Sequence, residues 1–199
     1  MNPWDERYKA PGYYYGTEPN DFLREHCGAI RPGGAVLCLA EGEGRNAVFL
    51  AEHGYAVVAI DQSFVGLQKA ERLAASKGVR ITTIQADLAD YRIEPDRWEG
   101  IVSIWCHLPR PLRAEVYRQV LTGLKPGGVF LLEAYTPEQL RYGTGGPPTA
   151  DLLVKLKDLR NELDGLTLSH ARERERMVTE GYGHTGLSAV VQVIARRPS

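Results

Sequence analysis

The stretch AVLCLAEGEGRNAVFLA, from Ala35 to Ala51, constrains what this chain can fold into more than any other. An apolar run stops at two closely spaced glycines, Gly42 and Gly44, and apolar residues then return at helical spacing. That order reads as a strand, a tight turn and the start of a helix. Glycine has no Cβ, so the backbone can turn sharply there and come close to a ligand. The first turn of the helix adds N–H groups that have no partner within the helix. The pattern suits a nucleotide-like ligand, and it also suits an ordinary glycine turn between strand and helix.

A second apolar run, YAVVAID from Tyr55 to Asp61, ends in a carboxylate about 20 residues beyond the glycines. In a parallel sheet Asp61 stands at the carboxyl edge, where its two oxygens can accept hydrogen bonds from a ribose diol. Asp61 or Ser63 can also cap the helix expected to run through Ala75, and the two roles are compatible. The alternation then continues. Val79 to Leu88 reads as a third strand leading to Asp87, and Ile101 to Trp105 as a fourth. RPLRAEVYRQVLTGLK reads as a helix closed by Pro126, Gly127 and Gly128, and VFLLEAY as a fifth strand. Strands and helices in turn imply an α/β fold with right-handed crossovers, in which every strand-to-helix loop lies on one edge of the sheet. A ligand crevice belongs at that edge.

The last third departs from this scheme. After the expected helix DLLVKLKDLRNEL come two strand-like runs, LTLSHARERERMV and SAVVQVIARR, joined by GYGHTG, which predicts an antiparallel hairpin. Ala189, Val190, Val191, Val193 and Ile194 make the second run apolar on both faces. The first is charged from Arg172 to Arg176 and is expected at the sheet edge, where alternating charges discourage pairing with other sheets.

The 199 residues, 43% of them apolar, suit one compact domain over 1–199: an N-terminal arm and helix (1–30), a core (31–135), and a substrate-side loop, helix and hairpin (136–199). Lys and Arg total 24 against 25 for Asp and Glu, which favours neither nucleic acid nor an anionic membrane as partner. The polar, aromatic start MNPWDERYKAPGYYYG lacks the apolar core of a signal peptide, so a soluble cytoplasmic protein is expected, as monomer or homodimer. Cys27, Cys38 and Cys106 lie far apart, with no spacing that would hold zinc, and no metal is expected.

Taken in order, EGEGRN, Asp61, Ala86-Asp87-Leu88 and LKPGGVFLLE resemble the motifs of class I S-adenosylmethionine-dependent methyltransferases over nearly the whole chain. The blocks WDERY, YYYGTEPNDFL, RNAVFLA, EAYTPEQL and GTGGP most resemble small bacterial members of the tellurite-resistance and thiol- or thiopurine-methylating type. The resemblance implies a Rossmann-like three-layer α/β sandwich, with a mostly parallel seven-stranded sheet ending in an antiparallel hairpin. It also implies S-adenosyl-L-methionine as cofactor and a small-molecule methyl acceptor. Ala40, Glu41, Gly42, Gly44 and Asn46 would then surround the methionine part, with Asp61, Gln62 and Ser63 at the ribose. Asp87 and Leu88 would meet the adenine, and the Ile104 carbonyl would face the cofactor's amino group. Two positions depart from the family pattern. Cys38 stands where the family usually has an acidic residue, so Glu41 or Glu43 must serve the methionine end. Ala40 replaces the first glycine, a mild change unless that position needs positive φ.

A sulfonium methyl is already activated, so alignment dominates the chemistry. A thiolate, selenol or chalcogen oxyanion needs no proton removed as it attacks, whereas an alcohol or amine can need a base. IWCHLP lacks the Asn/Asp-Pro-Pro-aromatic segment that holds a base amine, which argues against nucleobase methylation. His107, Tyr15 and His184 are the candidate catalytic residues, with Tyr8, Tyr135 and Tyr142 as further substrate-side candidates. Trp4, Tyr13, Tyr14 and Tyr15 form either a lid or an anchor for the arm, and GTGGPP is a candidate gating loop. Two other classes stay open on the residues alone. Gly42, Gly44, Ala47 and Asp61 also fit an NAD(P)-dependent oxidoreductase, and the altered first motif fits a non-catalytic binding protein.

Overall fold

A computed structural model describes residues 2–199; Met1, the first residue of the expected arm, lies outside them. The described residues form six α-helices: α1 Pro3–Tyr8, α2 Asp21–His26, α3 Arg45–Glu52, α4 Phe64–Ser76, α5 Arg110–Gly123 and α6 Leu156–Glu162. They also form seven strands: β1 Ala35–Leu39, β2 Ala56–Asp61, β3 Thr82–Gln85, β4 Trp98–Ile104, β5 Leu124–Tyr135, β6 Thr167–Glu180 and β7 His184–Arg196. The sheet order is β3-β2-β1-β4-β5-β7-β6. The first five strands are parallel, and β7 lies antiparallel between β5 and β6. The expected three-layer α/β sandwich with a terminal hairpin is therefore present.

Its layers follow from the two-residue period of the central strands. In β1, Leu37 and Leu39 join a core with Phe130, Leu132 and the α5 residues Val116, Tyr117 and Val120. Val36 and Cys38 face the other way, into a core with Phe22, Leu23, Ala47 and Leu50 from α2 and α3. Cys38 is fully buried there, so the residue standing for the usual acidic group is a packing residue. All three cysteines are buried and unpaired.

Several boundaries differ from the sequence expectation. β3 covers only Thr82–Gln85, because it is an outer strand paired on one side, after which Ala86 turns over the sheet edge by donating to the Asp61 carbonyl. β4 starts earlier, at Trp98, and stops at Ile104, because Trp105 takes φ +56° and leaves the strand. β5 begins at Leu124, with Lys125 to Gly128 bulging between the pairs Trp98–Leu124 and Gly100–Val129. α6 is shorter than expected because the Val154 N–H is taken by the Tyr135 carbonyl, which holds the preceding residues extended.

β6 is the edge strand, as its charges suggested, but those charges are not all solvated. Arg176 is half-buried and donates to both oxygens of the fully buried Glu133, at 2.9 and 2.7 Å. No helix among the described residues is long and apolar enough to cross a membrane.

Candidate functional site

A cavity of about 510 Å³ opens at the carboxyl ends of the parallel strands. Its floor comes from the residues that leave each strand: Ala40 and Glu41 after β1, Asp61 and Gln62 at β2, and Ala86 to Leu88 after β3. Ile104 to Leu108 complete it at the end of β4. The arm roofs it with Trp4, Arg7, Tyr8, Tyr14 and Tyr15, and Gly145 to Pro148 with His184 close the far wall.

Asp61 is buried at the end of β2. One oxygen accepts the Gly42 N–H at 2.8 Å and the other the Ser63 N–H at 2.7 Å. A carboxylate offers about four acceptor positions, so each oxygen keeps one for a ligand hydroxyl. Burial raises its pKa against these two N–H groups. Glu41 is held differently. Gly44, at φ +91°, has no side chain with which to cap α3, and Glu41 does so by accepting the Ala47 N–H at 2.7 Å. Burial pushes its carboxyl up to about 7 despite the helix N–H groups and Arg45. Asp87 lines the cavity and accepts the Ala89 N–H at 2.9 Å, which fixes the turn after β3.

Of the expected cofactor residues, Ala40, Glu41, Asn46, Asp61, Gln62, Asp87, Leu88 and Ile104 line the cavity. Gly42, Gly44 and Ser63 do not. The close approach at Gly42 is to the arm, since a Cβ there would lie 2.6 Å from the Tyr8 hydroxyl, and at Gly44 it is to α4, 2.4 Å from the Ala70 Cβ. Ser63 caps α4 through the Gly66 N–H and donates to Asp5 of α1. Ala40 has φ +50°, so its position does need positive φ and alanine is strained there. Glu43 serves the arm and not the methionine end: it is buried, pairs with Lys69 at 2.8 Å and accepts the Tyr14 N–H at 2.7 Å.

The aromatic block of the arm divides between both expected roles. Tyr13 donates to the Lys69 carbonyl, and Lys69 donates to the carbonyls of Ala10 and Gly12, which anchors the loop. Trp4, Tyr14 and Tyr15 face the cavity.

The substrate-side candidates separate in the same way. His107 lines the cavity, but its Nε2 accepts the Tyr135 N–H at 3.2 Å, and burial pushes its pKa down to about 3, so that nitrogen is engaged by the backbone. Tyr135 is fully buried behind Trp105, with ring centroids 4.3 Å apart, and Tyr142 bonds to Glu175 away from the cavity. Tyr15 and His184 come together, ring on ring at 4.5 Å, and Arg7 donates to the Tyr15 hydroxyl at 2.8 Å.

Behind His184 lies a buried network absent from the sequence expectations. Glu180 accepts from Arg45, from Trp105 Nε1 at 2.5 Å and from Asn20 at 2.9 Å. Burial opposes its ionisation, but Arg45, His184 and Trp105 outweigh that and hold its carboxyl well below the usual range. Its members come from the arm, α3, the end of β4 and β6, so local pattern carried no signal of it. Arg45 and Trp105 flank residues already singled out, and that adjacency was the available clue.

A family model described as a methyltransferase domain matches residues 36–128. No curated protein matches the sequence. Among solved structures, the chain is similar to a protein from work on the conversion of a disulfide bond into a thioacetal group during echinomycin biosynthesis. That likeness has a TM-score of 0.77 at 19% identity, covering 98% of this chain and 90% of that one. It is also similar to TehB from Haemophilus influenzae, with a TM-score of 0.73 at 18% identity, covering 98% of this chain and 65% of TehB. A third likeness is to an S-adenosylmethionine-dependent methyltransferase from Methanosarcina mazei, with a TM-score of 0.66 at 17% identity, covering 91% and 99%. The family match and the β3-β2-β1-β4-β5-β7-β6 sheet favour the methyltransferase reading over the oxidoreductase one. Residues 36–128 therefore match a methyltransferase domain, and the chain shares the fold of a solved S-adenosylmethionine-dependent methyltransferase.

Proposed function

We propose that this methyltransferase transfers its methyl group to a small soft nucleophile: a thiol, or a selenium or tellurium species. One observation carries the reading. All three carboxylates that line the cavity, Glu41, Asp61 and Asp87, stand in the loops at the ends of β1 to β3, whereas the arm, the β4 end and the hairpin supply aromatic rings, imidazoles and Arg7. That second set offers neutral imidazoles, one cation and polarisable rings in place of carboxylates, which suits a large atom whose proton is readily lost. The similarity to TehB and to a protein tied to disulfide chemistry adds support.

The residues present fit the cofactor. Asp61 keeps acceptor positions for a diol. Asp87 and Leu88 line the same cavity and offer a carboxylate and a backbone N–H to an adenine edge. Glu41 is the carboxylate available for a cationic methionine end, in place of the group that Cys38 lacks. When bound, S-adenosylmethionine supplies an electrophilic methyl group. The chain's own contribution is orientation and exclusion of water: the β-strand ends fix one partner, and the arm, pinned by the Lys69–Glu43 pair, covers both.

Purified protein assayed with labelled S-adenosylmethionine against aliphatic and aryl thiols, selenite and tellurite tests the acceptor class. Methyl transfer to at least one of these is expected. Activity confined to amines, alcohols or nucleobases would refute the reading.

A further inference from the structure

We infer that His184, whose Nδ1 faces the Glu180 carboxylate, is a general base that takes the proton of a thiol acceptor, so that the acceptor enters this site protonated. The inference rests on the soft-acceptor reading above and specifies its chemistry. His184 opens β7 beside the hairpin turn, is buried, and lines the cavity. Its Nδ1 is sealed from solvent, has no hydrogen-bond partner and faces the Glu180 carboxylate at 3.8 Å. Among the described residues its Nε2 makes no hydrogen bond, and it is the ring nitrogen left to the cavity that His184 lines.

A carboxylate beside Nδ1 favours the tautomer with the proton there and leaves the Nε2 lone pair free to accept. Glu180 is fit for this task, because Arg45 and Arg176 hold it ionised while the Trp105 and Asn20 N–H groups fix its orientation. The other groups facing the imidazole keep it neutral. Arg45 from α3 and Arg7 from α1 oppose a second cation, and burial acts in the same direction against the pull of Glu180. Tyr15 from the arm and Trp105 and Tyr135 from the ends of β4 and β5 pack around it without carrying charge. His107, also neutral, completes the surroundings.

The step balances on this chain's residues. The thiol proton passes to Nε2, and the sulfur electron pair forms the new carbon–sulfur bond. The methyl–sulfonium bond breaks with its pair retained by the departing sulfur. The imidazolium formed is stabilised by Glu180 and returns its proton to solvent.

Two thiols of similar size test the assignment at pH 7: an aliphatic one that is protonated there and an acidic aryl one that is already ionised. His184→Gln should lose at least 100-fold in kcat with the aliphatic thiol and less than 5-fold with the aryl thiol, while S-adenosylhomocysteine affinity by calorimetry stays within 2-fold. Imidazole 15N shifts of the wild-type protein should show the Nδ1–H tautomer. Equal losses with the two thiols, or an Nε2–H tautomer, would overturn the base role while leaving the soft-acceptor reading intact. A wild-type protein that methylates neither thiol overturns the thiol assignment for both.

Discussion

Glu41 combines a helix cap, a cavity wall and a carboxyl whose titration burial moves from 4.5 to about 7, and this makes Glu41→Gln a stringent test of the site. Below pH 4.5 the side chain is protonated in both folded and unfolded chains and contributes nothing to pH dependence. Between 4.5 and 7 the folded protein keeps a proton that the unfolded chain releases, so stability falls as pH rises. Above 7 both forms are ionised, and the loss is complete. Each pH unit between the two titrations is worth about 1.4 kcal/mol, so holding the charged carboxylate inside the fold costs about 3 kcal/mol at pH 8 and about 1 kcal/mol at pH 5. Glutamine keeps an oxygen for the Ala47 N–H and removes the charge. Urea unfolding of the ligand-free proteins should therefore show Glu41→Gln gaining about 2 kcal/mol on the wild type between pH 5 and pH 8. The same substitution should weaken S-adenosylmethionine binding about 10- to 100-fold, the loss of a charge-assisted hydrogen bond to a cation. Parallel pH–stability curves for the two proteins would refute the argument, because Glu41 would then titrate as an ordinary exposed carboxylate.

Three further outcomes follow. Ala40→Gly should raise stability by about 0.5 kcal/mol, because relief of a left-handed alanine exceeds glycine's extra freedom in the unfolded chain; a lower melting temperature would contradict the strain assigned to φ +50°. Asp61→Ala should weaken cofactor binding by about 1–3 kcal/mol in calorimetry through loss of its diol contacts, and unchanged affinity would remove it from the site. Arg176→Ala should cost about 3–5 kcal/mol in denaturant unfolding by removing the cation that faces the buried Glu133 carboxylate, which keeps the neutral donors Asn20 and Gln192, and a loss below 1 kcal/mol would show that the pair does not stabilise the fold.

The layout of strands and helices was legible because each apolar run carries its own period, and the ends of those runs marked Asp61 and Asp87 as residues of the sheet edge. What was illegible depends on partners far along the chain. Gly42 and Gly44 read as ligand-facing because their neighbours Tyr8 and Ala70 belong to other elements, and Ser63 hid its bond to Asp5 for the same reason. The run from Arg172 to Arg176 read as a solvated face, but Arg176 meets Glu133 across 43 residues of chain. Backbone strain at Ala40 and Trp105 left no trace in composition, since alanine and tryptophan ordinarily avoid positive φ.

The position of β7 has a consequence for how the molecule is made. This strand is synthesised after both of its neighbours, yet it lies between them, and β6 has no other partner in the sheet. The growing chain must therefore hold β5 with an open flank and β6 unpaired until the segment from His184 to Arg196 emerges and slides into the gap. Over that interval the flank of β5, with Phe130, Leu131 and Leu132, is a template for any passing strand. The alternating charges of β6 keep the waiting strand soluble during the same interval, so they protect the nascent chain as well as the finished edge.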